Sequence, residues 1–343
     1  MMYFDKKRIE ARTASVSQIA FARECVIENG PGRGVRIIDI DNGTGVHVTV
    51  LVDRGMDLGR CTYRGVPITF ETPSGVTHPA YYDPRGTNWL RTWEGGLVTG
   101  TGMRNVGVPQ SSDGPDDPLG LHGRLSHTPG TLTAVEESWE DDKYVITVRG
   151  KVRESSFFGD NLLLERVIRV ESVSNTIRVT DAVTNEGPRI SPFMILYHCN
   201  FGYPLIDDHT RIECDIASLT PRDDEAAAHL DDWAAMSSPQ ERYRERCYYP
   251  DVKEERGRCQ ISLRNPDLPF VAALDWRKRE LPFATIWKML GTREYALGLE
   301  PANCRPDGQA GAREDGTLEM LEPGGRRELD LRLSLLDNGA DLP

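Results

Sequence analysis

The sequence predicts an all-β fold of many short antiparallel strands, arranged as a sandwich or a barrel. Apolar and polar residues alternate with a period of two in segments along the whole chain, and Leu329–Leu335 is apolar at every odd position. Such alternation gives a strand one buried and one exposed face, which is typical of antiparallel sheets. Amphipathic helical patterns are almost absent, and this disfavours a doubly wound α/β fold.

The predicted strands follow one another along the chain, and turn-forming sequences such as Asn42-Gly43 separate them. In chain order they are Val35–Ile40, Val46–Val52, Thr131–Glu136, Ile146–Val148, Leu162–Glu171, Ile177–Val183, Phe193–Tyr197, Gln260–Leu263, Val271–Asp275, Phe283–Met289, Tyr295–Glu300 and Leu329–Leu335. No internal repeat and no linker divides this series. We therefore expect one domain over residues 1–343, with residues 1–30 as a peripheral extension.

Three segments depart from the strand pattern. Asp223–Cys247 contains three consecutive alanines and an acidic first turn that suits a helix N-terminus, but Pro239 interrupts it. We expect one or two short helices there, between strands. Thr72–Arg91 and Val108–Leu121 are long loops rich in glycine and proline, and loops of that length in a compact domain usually have a functional or capping role.

Composition and charge limit the classes of partner. The formal net charge of −12 disfavours nucleic acid, because binding to phosphates requires a basic face, and it equally disfavours anionic membranes. No segment approaches the ~20 consecutive apolar residues of a membrane span. A neutral or weakly charged small molecule is the partner that remains compatible with these observations.

The cysteines indicate a reducing compartment. Their number, seven, is odd, their spacing is wide, and no C-x-x-C pair occurs, which favours free thiols over a disulfide framework or a structural zinc site. The N-terminal segment Met1–Ala20 has basic residues but no apolar run behind them, so a secretory signal is not expected. We therefore expect a cytoplasmic protein.

Several common catalytic motifs are absent from the sequence. It contains neither a phosphate-binding loop of the Walker type nor a dinucleotide fingerprint in a βαβ unit. It also lacks the G-x-S-x-G elbow and the H-E-x-x-H helix. Nucleotide-dependent enzymes and the common hydrolases are therefore disfavoured.

Three other segments place titratable residues beside glycines or aromatic residues near strand ends. They contain His122 in Leu121–Arg124, His198 in Ile195–Pro204, and Glu300 shortly after Trp287-Lys288-Met289. Two histidines and a glutamate could supply a general acid and a general base. The same set could bind a divalent metal, or each residue could be structural, and the spacing along the chain leaves these alternatives open.

Taken in order, these motifs resemble those of the aldose 1-epimerases, or galactose mutarotases. The succession comprises Arg104-Asn105, Leu121-His122-Gly123, the aromatic-His-x-Asn-Phe strand at 197–201, and Leu299-Glu300-Pro301. The likeness extends from about Val35 to Leu336 and is greatest to a branch of aldose-epimerase-like proteins outside the galactose enzymes proper. It implies a large antiparallel β-supersandwich with few short helices and a sugar site on a concave sheet.

The resemblance also implies roles for individual residues. Glu300 corresponds to the general base at the anomeric hydroxyl, and His198 to the general acid at the ring oxygen. His122 corresponds to the second histidine, and Arg104 to the arginine that binds sugar hydroxyls. No metal and no organic cofactor is implied. The Arg104-Asn105 order is the reverse of the family's usual Asn-Arg pair.

Other residues are expected to contact substrate. Asn200 shares a strand with His198, and Trp287, like Trp89 and Trp93, could stack on a sugar face. Arg54, Arg124 and Lys288 have no clear counterpart in the galactose enzymes and could bind an acidic substituent. For the family's substrate-binding aspartate, Asp208 and Asp275 are candidates, whereas Asp307 lies too late in the chain.

The leading hypothesis is therefore an isomerase that interconverts the α and β anomers of an aldose or a modified, acidic hexose. One alternative is an isomerase, lyase or epimerase for keto- or acidic sugars, with Glu300 removing a C–H proton and Lys288 or Arg124 stabilising an enediolate. Another is a non-catalytic sugar-binding protein. The expected partner is a small sugar, without nucleic acid or membrane, and a homodimer is left open.

Overall fold

The computed structural model describes residues 4–110 and 119–338, and it confirms the all-β class. Within these ranges the helices are short: α1 Lys6–Glu10, α2 Asp224–Ala227 and α3 Gly308–Glu314. The strands are β1 Phe21–Val26, β2 Arg36–Asp41, β3 Val46–Leu51, β4 Asp57–Tyr63, β5 Val66–Pro67, β6 Thr99–Met103, β7 Thr131–Glu140, β8 Lys143–Ser155, β9 Asn161–Glu171, β10 Thr176–Asn185, β11 Ser191–Phe201, β12 Arg211–Glu213, β13 Ile216–Pro221, β14 Arg246–Val252, β15 Glu254–Glu255, β16 Arg258–Arg264, β17 Phe270–Arg277, β18 Phe283–Gly291, β19 Glu294–Ala302, β20 Glu319–Leu321 and β21 Arg326–Asp337.

These strands form three antiparallel sheets. The N-terminal sheet pairs β1 to β5 in chain order, with the largely exposed β1 at its edge. A nine-stranded sheet has the order β12-β16-β17-β21-β10-β9-β8-β7, with β15 paired to β16. A seven-stranded sheet has the order β13-β14-β18-β19-β11-β20, with β6 paired to β11. Every strand predicted from alternation is present, with ends that differ by a few residues.

One cluster of buried apolar side chains extends from Phe4 to Leu335 and joins the three sheets. The alternation in β21 is observed, because Leu329, Leu331, Leu333 and Leu335 are all buried. Each such leucine contributes about 1.5–3 kcal/mol by leaving water. Asp330 is buried as well, and its charge is balanced by ion pairs across the sheet with arginines of β10 and β16.

The structure describes most of the three segments that depart from the strand pattern. In Asp223–Cys247 the structure has α2 and a 3-10 turn at Leu230–Asp232, as expected, but the segment ends inside strand β14. The loop Thr72–Arg91 contains two 3-10 turns, Pro79–Tyr81 and Asn88–Arg91. Of the loop Val108–Leu121, residues 111–118 lie outside the described part of the chain.

Within residues 4–110 and 119–338, no helix has the length and apolar character needed to cross a membrane.

Candidate functional site

A cleft of about 400 Å³ lies over the seven-stranded sheet, and residues of strands β11, β18 and β19 form its floor. In β11 and β19, Cys199 pairs with Leu299 and Leu196 with Ala302, so the same register places His198 opposite Glu300. Thr285 of β18 is the partner of Glu300 on its other side. Because side chains alternate along a strand, these three residues lie on one face of the sheet.

His198 and Glu300 form a close buried pair. The His198 Nε2 and Glu300 Oε1 atoms are 3.2 Å apart, and the two residues are only 6% and 3% exposed. The orientation of this contact is not that of a hydrogen bond, which leaves Glu300 Oε1 without a hydrogen-bond partner among the described protein atoms. The other ring nitrogen, His198 Nδ1, is also buried without one. Buried polar atoms without partners are rare in folded proteins and typically mark sites that receive a ligand or water.

His122 reaches the same cleft from a loop. Its backbone has a φ of 56°, and its carbonyl accepts a 2.8 Å hydrogen bond from the amide of Gly102 at the end of β6. This turn places the His122 ring 5.8 Å from the His198 ring, nearly perpendicular to it. Like His198, His122 has a buried Nδ1 without a partner among the described residues.

Tryptophan side chains surround the two histidines. We call Trp89 and Trp93 the aromatic wall; their rings stack at 5.4 Å and contact His122 at 5.0 Å and His198 at 5.5 Å, respectively. Trp287 of β18 lies 5.5 Å from His198 on the cleft floor. The two wall residues are only 2% and 8% exposed, and both line the cleft.

Burial shifts the pKa values of all three titratable groups. It raises the pKa of Glu300 to about 8, and the neighbouring Glu245 adds to the shift while Arg222 opposes it. Burial lowers the pKa of His198 to about 3, with a further contribution from His122, and lowers that of His122 to about 4. Both shifts favour the neutral form of the His198–Glu300 pair, in which the carboxyl group carries the proton.

The cleft also contains polar residues that were not predicted as site residues. Arg222, Glu245 and Asp307 line its other end. The Arg222 guanidinium is already bound, to Asp223 at 3.0 Å and to Glu245 at 2.9 Å, and Glu245 accepts a 2.8 Å hydrogen bond from Trp287 Nε1. Arg222 follows β13, Glu245 precedes β14 and Asp307 precedes α3. No local sequence signal distinguishes these residues from solvated surface residues.

The candidates for the substrate-binding aspartate require correction. Asp307, which appeared too late in the chain, lines the cleft, and burial raises its pKa. Asp275 forms ion pairs with Arg258 and Arg332 in the nine-stranded sheet, and the exposed Asp208 accepts a hydrogen bond from Ser238. Neither of the two is among the described residues that line the cleft.

Lys288 and Asn200 do not present polar groups to the cleft. Lys288 follows Trp287 in β18, so its side chain lies on the opposite face, where its Nζ donates to the carbonyls of Asp232 and Ala235 at 2.8 and 2.7 Å. Asn200 has no exposed surface, and its amide donates to the His198 carbonyl at 2.8 Å. Lys288 thus makes structural contacts, whereas Asn200 Oδ1 is buried without a hydrogen-bond partner among the described residues, and contact of either residue with substrate stays a prediction.

The three arginines that were expected at the sugar site also lie outside the described cleft lining. Arg54 is completely buried and bound to Glu94. Arg104 forms an ion pair with Asp160. Arg124 precedes the 3-10 turn Leu125–His127. The structure thus brings together His122, His198, Glu300 and Trp287 from the predicted set, and their roles in catalysis and binding remain predictions.

The histidines and Glu300 are more widely separated than a set of metal ligands. In the described residues, only one group of three potential ligands has all its ligand atoms within 4.8 Å of one another, the largely exposed Asp207, His209 and Asp267. Ligands of one ion must converge to about 2 Å from it. The cleft thus holds a close His198–Glu300 pair with a second histidine beside it.

The fold is that of a galactose mutarotase-like β-sandwich. A "putative aldose 1-epimerase" from Klebsiella pneumoniae is 26% identical and superposes with a TM-score of 0.85 over 92% of this chain and 83% of its own. A galactose mutarotase-like protein from Clostridium acetobutylicum is 12% identical, with a TM-score of 0.63 over 93% of this chain and 99% of its own. The galactose 1-epimerase of Lactobacillus acidophilus is 10% identical, with a TM-score of 0.61 over the same shares.

The chain belongs to the family described as "Domain of unknown function (DUF4432)", whose model matches residues 32–335. No curated protein matches the sequence. The two structures of low identity show the fold alone, and the Klebsiella protein extends the likeness to the sequence. The predicted resemblance and the predicted large antiparallel sandwich are confirmed.

Proposed function

We propose that the protein is a carbohydrate isomerase that interconverts the α and β anomers of an aldose or a modified hexose by acid–base ring opening. The observation that carries this proposal is the His198–Glu300 pair. A carboxyl group and an imidazole lie 3.2 Å apart and buried on the floor of a cleft walled by tryptophans, and Glu300 Oε1 and His198 Nδ1 have no hydrogen-bond partner among the described residues. Such a pair can remove one proton and deliver another within a single bound molecule.

In the proposed reaction, Glu300 accepts the proton of the anomeric hydroxyl while His198 protonates the ring oxygen. The C1–O5 bond breaks, C1 becomes a carbonyl carbon, rotation about C1–C2 exposes its other face, and the reverse transfers close the ring. His122 binds the ring oxygen or a neighbouring hydroxyl. The number of protons on enzyme and sugar together is unchanged throughout, so no further reactant is required.

The shared proton supports this division of roles. In the free protein it resides on Glu300, because burial raises the pKa of the carboxyl and lowers that of His198. Sugar hydroxyls that donate hydrogen bonds to Glu300 favour its ionised form. The proton then passes to His198 and is available to the ring oxygen.

The rest of the cleft suits a polyhydroxylated ring. Carboxylates such as Asp307 accept hydrogen bonds from hydroxyls, and the tryptophans offer apolar faces to C–H groups. Lys288 and Arg124 are absent from the described lining. The alternative in which Glu300 removes a C–H proton therefore lacks the cation that was expected to stabilise an enediolate.

Polarimetry tests the proposal directly. Freshly dissolved α-D-glucose, α-D-galactose, a hexuronate and a sulfo-sugar are each followed at low temperature with and without the protein, with Glu300→Gln as the matched control. We expect at least one sugar to equilibrate faster with the wild type and not with the variant. Equal rates with and without protein for every sugar would overturn the proposal.

A further inference from the structure

Arg54 is a fully buried cation that the proposed reaction does not use. Its side chain has 0% exposure, and each guanidinium nitrogen binds a backbone carbonyl. Nε donates to Ser126 at 2.7 Å, Nη1 to Thr77 at 2.7 Å, and Nη2 to Thr92 at 2.9 Å. One side chain thus joins the two ends of the 72–94 loop to the turn at residues 125–127.

The charge of Arg54 is balanced locally. Glu94 Oε2 lies 2.7 Å from Arg54 Nη2, and the Glu94 side chain is only 4% exposed. The neighbouring His127 is neutral, since burial and the charge of Arg54 lower its pKa well below the ordinary value. Burying such a charge pair is costly unless the remaining hydrogen bonds are made. The carbonyls of three segments satisfy the guanidinium. Glu94 makes only the ion pair, because neither of its carboxylate oxygens has a hydrogen-bond partner among the described residues, and burial raises its pKa.

This cluster lies directly behind the aromatic wall. Ser126, whose carbonyl binds Arg54, accepts a 3.2 Å hydrogen bond from Trp89 Nε1 through its hydroxyl. Trp93 stands between Thr92 and Glu94, which both contact the guanidinium. The Trp89 indole and the backbone on either side of Trp93 are therefore tied to one buried side chain, while Trp93 Nε1 itself donates to Thr99 at 3.2 Å.

We propose that Arg54 is a positioning residue that holds the aromatic wall in the orientation that receives the sugar ring. The kinetic part of this inference rests on the proposed function. Since Arg54 does not touch β11 or β19, which carry His198 and Glu300, its loss should weaken binding of the ring far more than it slows proton transfer. The guanidinium is required because an ammonium group has no planar fork with which to join three carbonyls.

The test compares Arg54→Lys with Arg258→Lys, which disturbs an arginine bound to Asp275 and Asp330 in the nine-stranded sheet. For whichever sugar the wild type converts fastest, we expect Arg54→Lys to raise KM about tenfold or more and to change kcat by less than about threefold. We also expect weaker near-UV circular dichroism and stronger acrylamide quenching of tryptophan fluorescence. Arg258→Lys should lower Tm and leave all four quantities unchanged.

If Arg54→Lys lowers Tm but keeps the KM, circular dichroism and quenching of the wild type, Arg54 has only a structural role and the proposal is overturned. Should Arg54→Lys fail to fold, Ser126→Ala decides instead, because it keeps the carbonyl that binds Arg54 and removes the hydroxyl that contacts Trp89 Nε1 and His127 Nδ1. It should raise KM by about twofold to fivefold, and an unchanged KM and quenching would count against the proposal. If the wild type converts no sugar, the proposed function fails, while circular dichroism and quenching still decide the role of Arg54.

Discussion

Two grooves of similar volume differ in how their charges are arranged. The cleft on the seven-stranded sheet measures about 400 Å³, and a groove on the nine-stranded sheet measures about 350 Å³. In the second groove, Glu165 forms ion pairs with Lys151 at 2.8 Å and Arg326 at 2.9 Å, and all three side chains are partly exposed. In the cleft, His198 and Glu300 are buried and lack such partners.

The two glutamates show the consequence. Hydrogen bonds from Lys151 and Arg326 lower the pKa of Glu165, whereas burial raises that of Glu300 to about 8. Exposed ion pairs contribute little to stability and keep their carboxylates ionised. A buried carboxyl beside a neutral imidazole can instead exchange a proton near neutral pH, and this difference is why we propose the cleft, and not the second groove, as the site of the reaction.

The largest expected effect comes from exchanging one carboxyl for an amide in each groove. Glu300→Gln keeps the shape of the side chain but cannot accept the proton of the anomeric hydroxyl, so kcat should fall about 10²–10⁴-fold. Glu165→Gln should leave kcat unchanged. Polarimetry measures kcat for both variants. An equal loss of kcat in the two would contradict the proposed difference between the grooves.

The next effect concerns the pH dependence of the wild type. Because the active pair must hold one proton, kcat/KM should be flat between about pH 5 and 7 and should fall about tenfold per unit above pH 8. The apparent pKa of this fall belongs to the His198–Glu300 pair. A rate that continued to rise through pH 8 would show that the ionised carboxylate acts without the shared proton.

We expect Trp287→Phe to have a smaller effect than these, and to act on substrate binding. The substitution keeps an aromatic ring on the cleft floor but removes the 2.8 Å hydrogen bond from Trp287 Nε1 to Glu245. We expect KM to rise about threefold to tenfold with little change in kcat, because one hydrogen bond contributes about 1 kcal/mol. A fall in kcat at unchanged KM would assign Trp287 to the reaction itself.

The smallest expected effect is on stability. Folding raises the Glu300 pKa from 4.5 to about 8, so the folded state binds the proton more tightly than the unfolded chain. Its stabilising contribution is complete below pH 4.5 and is lost as pH rises through 8. The Tm of Glu300→Gln relative to wild type should therefore increase by a few degrees between about pH 5 and 8.5. A constant difference across that range would contradict the raised pKa.

Much of the fold could be predicted from alternation, and the missed strands show its limit. β6 is a Thr-Gly-Thr-Gly-Met segment that is buried on both faces, so it has neither alternation nor a residue pattern typical of strands. β14 contains Pro250 and follows a segment with helical residues. Both strands are formed by pairing with distant neighbours, which no local pattern encodes.

For the site, short motifs were sufficient to identify His122, His198 and Glu300 as candidates, but not to orient their neighbours. Trp287 and Lys288 are adjacent, and because both faces of β18 are covered, the sequence does not reveal which one faces the cleft. Arg54 was expected at the sugar because it is charged, whereas its donors are all used in the interior. Asp307 and Arg222 enter the cleft through loop paths that only the tertiary structure defines.

Exchange NMR is the most direct test of the central claim that the His198–Glu300 pair opens and closes a sugar ring. Magnetisation transfer between the α and β anomeric protons is measured in D₂O for the sugar that responds in polarimetry, with wild type and with Glu300→Gln. The account predicts accelerated transfer with wild type only and no deuterium at any carbon. Transfer that the variant also accelerates, or deuterium entering a C–H position, would contradict it.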